Sequence, residues 1–420
     1  LKSDNKKIVV LVRQRIVAKS NGSSRYLLGI LEHLQKSGHE LHIVWPLEAT
    51  FGRWPYLILS PDVTQFPNLY WRGGIRLGRY VISKNPKVYL SALLAVIDRL
   101  LLKGGIIKAP ITKRAQSSLA APVVDDDIIF VERYVKTADC VLFDYVFSVR
   151  FASEWVNATP SLVLMHDLFF KREKDFAQQG LSDNYGQISE ADEMYLLGQC
   201  GGVIAIQEEE AKQVRVSLPD KLVGVAPIGV DVVGAPQAGD DDLISFVGSN
   251  AGPNVLGIKW FLDAVWPRLR SMRPNVRLEI AGSCCDVLQP APGVTLLGVV
   301  ADLVPLYQRA GVVISPLTVG SGLKVKLIEG LAAGKAMVVT PTTLQGVPEL
   351  AEYVFVEQEP ELFASAIARF LDNRTLRLTI AAEGLAHMKA NFSPEAAYGW
   401  IDNYYRTAEW GEKGCQARPL

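Results

Sequence analysis

The stretch from Ala310 to Pro341, AGVVISPLTVGSGLKVKLIEGLAAGKAMVVTP, constrains the chain more than any other. Val312-Val313-Ile314 is a short apolar run of the kind needed by a strand buried on both faces. Gly320-Ser321-Gly322 lets the backbone turn sharply and approach a ligand with no Cβ in the way. From about Leu323 the apolar residues Val325, Leu327, Ile328, Leu331 and Ala332 recur at helical spacing, up to Gly334 as C-cap. Met337-Val338-Val339 restarts an apolar strand, which Pro341 closes. The segment therefore reads as strand, glycine turn, helix, strand. A helix that begins behind a glycine turn offers free N–H groups to an anion such as phosphate. Lys324 and Lys326 add cations, and Glu329 supplies a carboxylate able to grip hydroxyls. That combination suits a sugar nucleotide.

Rival readings are weaker. Gly320-x-Gly322 is the start of a dinucleotide fingerprint, but Val325 stands where the third glycine belongs. Gly330-Leu-Ala-Ala-Gly334-Lys335 lacks the spacing and the Ser/Thr of a P-loop, and it sits at a helix end. A structural βαβ unit without ligand is the plain alternative.

The residues GSGLKVKLIEGLAAGKAMVVT resemble the donor-binding motif of GT-B-fold retaining glycosyltransferases of the family-4 (group 1) type. The resemblance implies an α/β chain of two Rossmann-like, doubly wound domains facing a central cleft. It implies that Glu329 holds the ribose, with Gly320, Ser321, Gly322 and Leu323 against the diphosphate and sugar. Gly248 and Asn254 fall where relatives line the donor site, and the backbone near Val300 falls where relatives meet the base. Two departures stand out. Relatives carry a second glutamate eight positions before the one matching Glu329, where this chain has Ser321. They also carry an Arg and a Lys near the places of Ser249 and Asn254. Lys324 is expected to take over the diphosphate charge, because an unpaired diphosphate in a cleft would be costly.

The 420 residues exceed one ordinary core, so two domains are expected. Half the residues are apolar, and the formal net charge is +0, which argues against a nucleic-acid-coating protein. Five cysteines without CxxC spacing fit neither a disulfide framework nor a zinc site, and point to a reducing cytosol. No apolar run reaches the roughly 18 residues needed to cross a bilayer. With Leu1 first rather than Met, a trimmed leader stays open.

Lys7–Val12 reads as the opening strand, Arg13–Ser24 as a polar loop, and Tyr26–Lys36 as a helix. In relatives the corresponding loop, here containing Gly22 and Ser23, faces the acceptor. Between Phe51 and Ala120, eleven Lys/Arg stand against two acids, with aromatics interleaved. Ser91–Lys103 is a candidate amphipathic helix with Leu93, Leu94, Val96, Ile97, Leu100 and Leu101 on its stripe. This composition suits an anionic membrane surface or lipid-linked acceptor; a packed helix with a solvated basic loop fits equally well. Asp125-Asp126-Asp127 matches a metal-binding DxD, but it precedes a helical run and reads as an N-cap. Asp240-Asp241-Asp242 reads as a linker.

Ser161–Met165 is a buried strand with His166-Asp167 at its carboxyl end, where open α/β sheets place ligand-contacting residues. The pair resembles one that family members present to the transferred sugar; a capped loop histidine is the alternative. Ala226–Asp231 resembles an interdomain signature, and Leu243–Gly248 opens the second domain, followed by a helix Val255–Leu269. The expected division is residues 1–215 for the acceptor, 216–395 for the nucleotide sugar, and 396–420 as a helix returning to the first domain.

The expected function is sugar transfer from a nucleotide-diphosphate sugar to a glycan or lipid-linked acceptor, with retention. His166, Lys324 and Glu329 are the catalytic candidates, and no cofactor or metal is expected. The location implied is cytoplasmic, peripheral on the inner membrane face. A nucleotide-sugar epimerase of the same fold and a non-catalytic partner subunit are the alternatives; few histidines speak against the first.

Overall fold

The computed structural model describes residues 5–18, 22–111, 117–172, 188–300, 302–320 and 323–408. The chain forms two compact units, Leu1–Ala226 with Tyr398–Leu420, and Pro227–Ala397.

The first unit holds β1 (Lys7–Val12), β2 (Glu40–Trp45), β3 (Tyr56–Ile58), β4 (Asn68–Trp71) and β5 (Gly74–Leu77). It continues with β6 (Tyr80–Ser83), β7 (Cys140–Asp144), β8 (Ser161–Leu164), β9 (Gly202–Ala205) and β10 (Leu222–Val225). Seven strands pair in parallel in the order β10-β9-β8-β7-β1-β2-β4. Continuous burial along β7 and β8 matches a sheet covered on both faces. The chain builds from β1 toward β2 and β4 on one side, and from β7 toward β10 on the other, so the order reverses between β1 and β7.

Several expectations change here. Arg13 and Gln14 lie in the expected polar loop but are buried: Arg13 is fully buried and donates to Phe147 O at 2.8 Å. Burial lowers its guanidinium pKa to about 10. The helix begins at Gly22, one turn before Tyr26. The aspartate run does not supply the N-cap, which is Val124. Asp127 lies one turn in and accepts from Val124 N at 2.9 Å, while its other oxygen pairs with Arg72 at 2.7 Å. The basic region folds into a separate antiparallel sheet, β3-β6-β5, and a helix Pro86–Lys103. That helix starts five residues before the expected Ser91, with Pro86 in its first turn and Asn85 Oδ1 accepting from Lys87 N. The unit boundary moves from 215/216 to 226/227, because β10 pairs with β9 and stays with the first sheet. From Tyr398 the last helix, Pro394–Thr407, belongs to the first unit: Trp400 donates to Val225 O at 2.9 Å and Asp402 meets His39 at 2.8 Å.

The second unit holds β11 (Asp240–Val247), β12 (Arg277–Ala281), β13 (Val294–Gly298), β14 (Ala310–Ser315), β15 (Ala336–Val339) and β16 (Phe355–Val356). All six are parallel, in the order β13-β12-β11-β14-β15-β16, so this sheet reverses between β11 and β14. Ile244, Phe246, Ile280, Ile314, Phe261 and Phe363 lie in its core. Asp240, Asp241 and Asp242 are strand residues rather than a linker, paired with Arg277, Arg377 and Arg273. The helix expected over Val255–Leu269 begins at Gly252 and runs to Trp260. It then widens into a π turn, Phe261–Val265, ahead of the segment Trp266–Met272. Pro267, which cannot donate to the helical ladder, follows that wider turn.

Candidate functional site

In open α/β sheets a ligand crevice forms outside the carboxyl ends of the strands where the order reverses. Each unit has one such point, and several of the residues singled out from sequence lie at each.

In the second unit the point lies between β11 and β14. The helix Gly252–Trp260 follows β11, and Gly320 and the helix Val325–Ala332 follow β14. These elements are in close contact. A Cβ on Gly257 would come within 2.5 Å of Pro316 O, so the first helix lies directly on the loop after β14. Gly320 has φ +139°, a conformation that favours glycine. A methyl there would lie 3.5 Å from Lys324 Cε and 3.6 Å from Pro253 Cβ. The Lys324 side chain therefore folds back toward Gly320, beside the start of the other helix. It occupies the N-cap position, is nine-tenths buried, and Nζ donates to Gln345 Oε1 at 3.3 Å. Glu329, equally buried, has Lys326 Nζ 3.8 Å from its Oε2. The helix begins at Val325 rather than Leu323. It ends with Gly334 at φ +64°, where Gly334 N donates to Leu331 O at 2.9 Å and Lys335 N to Gly330 O at 3.1 Å.

Gly248 follows β11, and its carbonyl accepts from Cys284 N at 3.2 Å. Asn254 turns its amide onto Ser249, donating to the carbonyl and hydroxyl oxygens at 3.2 and 3.0 Å. The two residues that stand in place of the relatives' cations thus hold each other. Val300 follows β13 and is half-buried. Ser321 and Gly322, and Ala301 beside Val300, lie outside the described residues. Gln345 was missed by the sequence reading; it sits in a turn after β15 with no motif to mark it, and only the fold brings it to Lys324.

In the first unit the point lies between β1 and β7. Ser23 Oγ donates to Gln14 Oε1 at 3.0 Å, and Gln14 Nε2 donates to Asp144 Oδ1 at 3.0 Å. The same carboxylate oxygen lies 2.8 Å from His166 Nε2. The ring of His166 is thus held by Asp144 rather than by its chain neighbour Asp167. Asp167 pairs with Arg172, and its N–H returns to Met165 O at 2.9 Å. That bond closes a tight turn around His166, which has φ +63°. Tyr145, immediately after β7, has φ +67°. Side chains held in the left-handed region cluster at functional sites. Gly22 stands at the start of the helix whose next residue, Ser23, joins the network.

The turn after His166 is fixed from below by carboxylates. Glu193 is fully buried and accepts from Phe169 N and Phe170 N, both at 3.0 Å. Burial pushes its carboxyl up to about 7, although those backbone bonds oppose the rise. Glu210, which accepts from Leu168 N, is pushed up to about 8 by burial and then by Asp167. Asp144, Gln14, Glu193 and Glu210 were not singled out from sequence. Each is an isolated polar residue beside an apolar strand or within an acidic helix.

Residues 241–373 match the family model described as Glycosyl transferases group 1. A sequence comparison with curated proteins gives no match. Among solved structures, a variant of TarM from S. aureus, in complex with fondaparinux, alpha-GlcNAc-glycerol and UDP, is 10% identical. The match covers 95% of this chain and 99% of that one, with a TM-score of 0.62. Anabaena HepE, in complex with UDP and glucose, is 13% identical over 96% and 100% of the two chains, with a TM-score of 0.59. Sucrose-phosphate synthase from Thermosynechococcus elongatus is 15% identical over 96% and 98%, with a TM-score of 0.59. Residues 241–373 thus match the group 1 glycosyl transferases in sequence, and the chain as a whole has the GT-B fold.

Proposed function

We propose that this chain transfers a sugar from a nucleotide-diphosphate sugar to a glycan or lipid-linked acceptor, with retention of anomeric configuration. The observation that carries the reading is the Lys324 side chain folded back toward Gly320, with Glu329 one turn further along the helix that Lys324 caps. The start of that helix and Lys324 offer positive potential to a diphosphate, and Glu329 offers an acceptor to ribose hydroxyls. As the sugar–phosphate bond breaks, charge develops on the leaving diphosphate, and a cation already in place stabilises it without reorganising. Lys324 serves that purpose here, and the reaction is proposed to need no metal.

His166 is the group offered to substrate from the first unit. Asp144 holds its ring from one edge and Tyr145 from one face. The location proposed is cytoplasmic, in peripheral contact with an anionic membrane.

Isothermal calorimetry against a panel of nucleotide-diphosphate sugars tests the reading. Binding of at least one, weakened in Lys324→Ala and Glu329→Ala, is expected. A folded chain that binds none of the panel would overturn it, and activity lost on treatment with EDTA would overturn the metal-free step.

A further inference from the structure

The helix Pro86–Lys103 is turned the wrong way round for a surface helix. Its buried positions are Ala92, Ala95 and Asp98, and Asp98 Oδ1 accepts from Ile111 N at 3.2 Å. The large apolar residues face outward: Leu90 is 58% exposed, Leu93 57%, Leu100 64%, and Leu94 and Ile97 more than 40%. An ordinary amphipathic helix buries that stripe.

The β3-β6-β5 sheet just before it repeats the inversion. Ile58 pairs with Tyr80 and Tyr80 with Leu77, while Tyr56 pairs with Ile82 and Ile82 with Ile75. Opposite partners share a face, so these six residues form one apolar face. All but Ile82 are exposed, while Leu57 and Val81 on the other face are buried. Exposed apolar surface on this scale marks an interaction site.

Charge identifies the partner. Residues 51–120 hold eleven Lys/Arg against two acids, while the rest of the chain holds 33 against 42. One of the two acids is the buried Asp98, so the charges the helix exposes are Lys87, Arg99 and Lys103. We propose that the first unit docks on an anionic lipid bilayer. The helix Pro86–Lys103 lies in the interfacial plane with Leu93, Ile97 and Leu100 inserted, and the outer face of β3-β6-β5 provides a second apolar contact. Among the described residues no helix is long and apolar enough to cross a membrane, which fits a helix lying on the surface. A second copy of the chain is a poorer occupant, because it would bring two strongly basic surfaces together. Anionic headgroups neutralise that charge instead. The proposal does not depend on the donor site: a chain that binds vesicles but no sugar nucleotide leaves it standing.

The test is co-sedimentation of the full chain with vesicles of phosphatidylcholine alone, or mixed in equal parts with phosphatidylglycerol. Binding to the mixed vesicles, released by salt, is expected. Leu93→Glu with Ile97→Glu, at exposed positions where the fold is not at risk, should weaken partitioning by about tenfold or more per residue. Lys87→Glu with Lys103→Glu should weaken it by about fivefold or more per residue. An unchanged melting temperature in both double variants establishes that they are folded. Equal binding to neutral vesicles would overturn the proposal, as would no binding to either. A dimer in light scattering that Leu93→Glu with Ile97→Glu dissociates would overturn it too, assigning the face to a second copy.

Discussion

The rings of Tyr145 and His166 stack face to face with centroids 3.9 Å apart, and both residues hold left-handed backbone conformations, φ 67° and 63°. The two strands that carry them, β7 and β8, are neighbours, so each left-handed residue directs its ring toward the other just beyond the strand ends. Tyr26 closes the arrangement edge-on, 5.4 Å from His166. Backbone strain at two adjacent strand ends is maintained only where the surroundings over-determine it. Here the Asp144 carboxylate and the amides fixed by Glu193 do so.

That geometry separates backbone effects from chemical ones at His166. His166→Asn, which tolerates the left-handed region, should be more stable than His166→Val by about 1–2 kcal/mol. Both should lose transfer activity. Asp144→Asn keeps the shape but not the charge that orients the ring, and should lower kcat by about 10- to 100-fold with little change in KM. Thermal melts and steady-state kinetics on the three variants check this; equal melting temperatures for His166→Asn and His166→Val would contradict the strain argument.

Lys324→Ala should lower kcat by about 100-fold or more, the scale on which a single preorganised donor acts. Gln345→Ala removes the partner that holds the amine and should cost less, since the charge remains. Ser249→Arg in the Lys324→Ala background should restore part of the rate, if the presence of a cation matters more than its origin. A Lys324→Ala variant nearly as active as the parent would mean that another group neutralises the diphosphate.

Glu329→Ala should weaken donor binding by roughly 1–3 kcal/mol as a charged hydrogen bond is lost. Lys326 lies 3.8 Å from the same carboxylate. Lys326→Ala should therefore weaken donor binding less than Glu329→Ala, and the double variant should fall short of the sum of the two. Calorimetry on the set reads both effects.

Glu193 and Glu210, held up at about 7 and about 8 by burial, make stability depend on pH. An unfolded glutamate titrates near 4.3, so between that value and about 8 the native state binds more protons than the unfolded one. Their contribution is complete below the unfolded pKa and is lost as pH rises through 7 and 8. Melting temperature should fall between about pH 5 and pH 8 and level off above, and Glu210→Gln should flatten the upper part of that fall. Melts that rise over the same range would exclude these two groups as the cause.

How much of this was written in the order of residues depends on how local each feature is. The strand–glycine–helix–strand segment spans 32 consecutive residues, Ala310–Pro341, and its parts are neighbours along the chain. A glycine turn followed by helical spacing places Lys324 and Glu329 on one element whatever surrounds it, and the Gly334 terminus follows from backbone conformation alone. The strands were readable for the same reason, since unbroken apolar runs need cover on both faces.

The His166 network is different. Gln14 and Asp144 are separated by 130 residues, and Asp144 and His166 by 22. They meet only because β7 pairs with both β1 and β8, an order that equally buried strands do not reveal. The sequence therefore marked His166 and Asp167 at a strand end, whereas only the sheet showed Asp144 against the ring. The helix Pro86–Lys103 makes the same point: periodicity defines an apolar stripe, but it cannot say which side of the helix the rest of the unit will cover. Local conformation is set by residues a few bonds apart. Which distant surfaces are buried together is settled only when the whole sheet assembles.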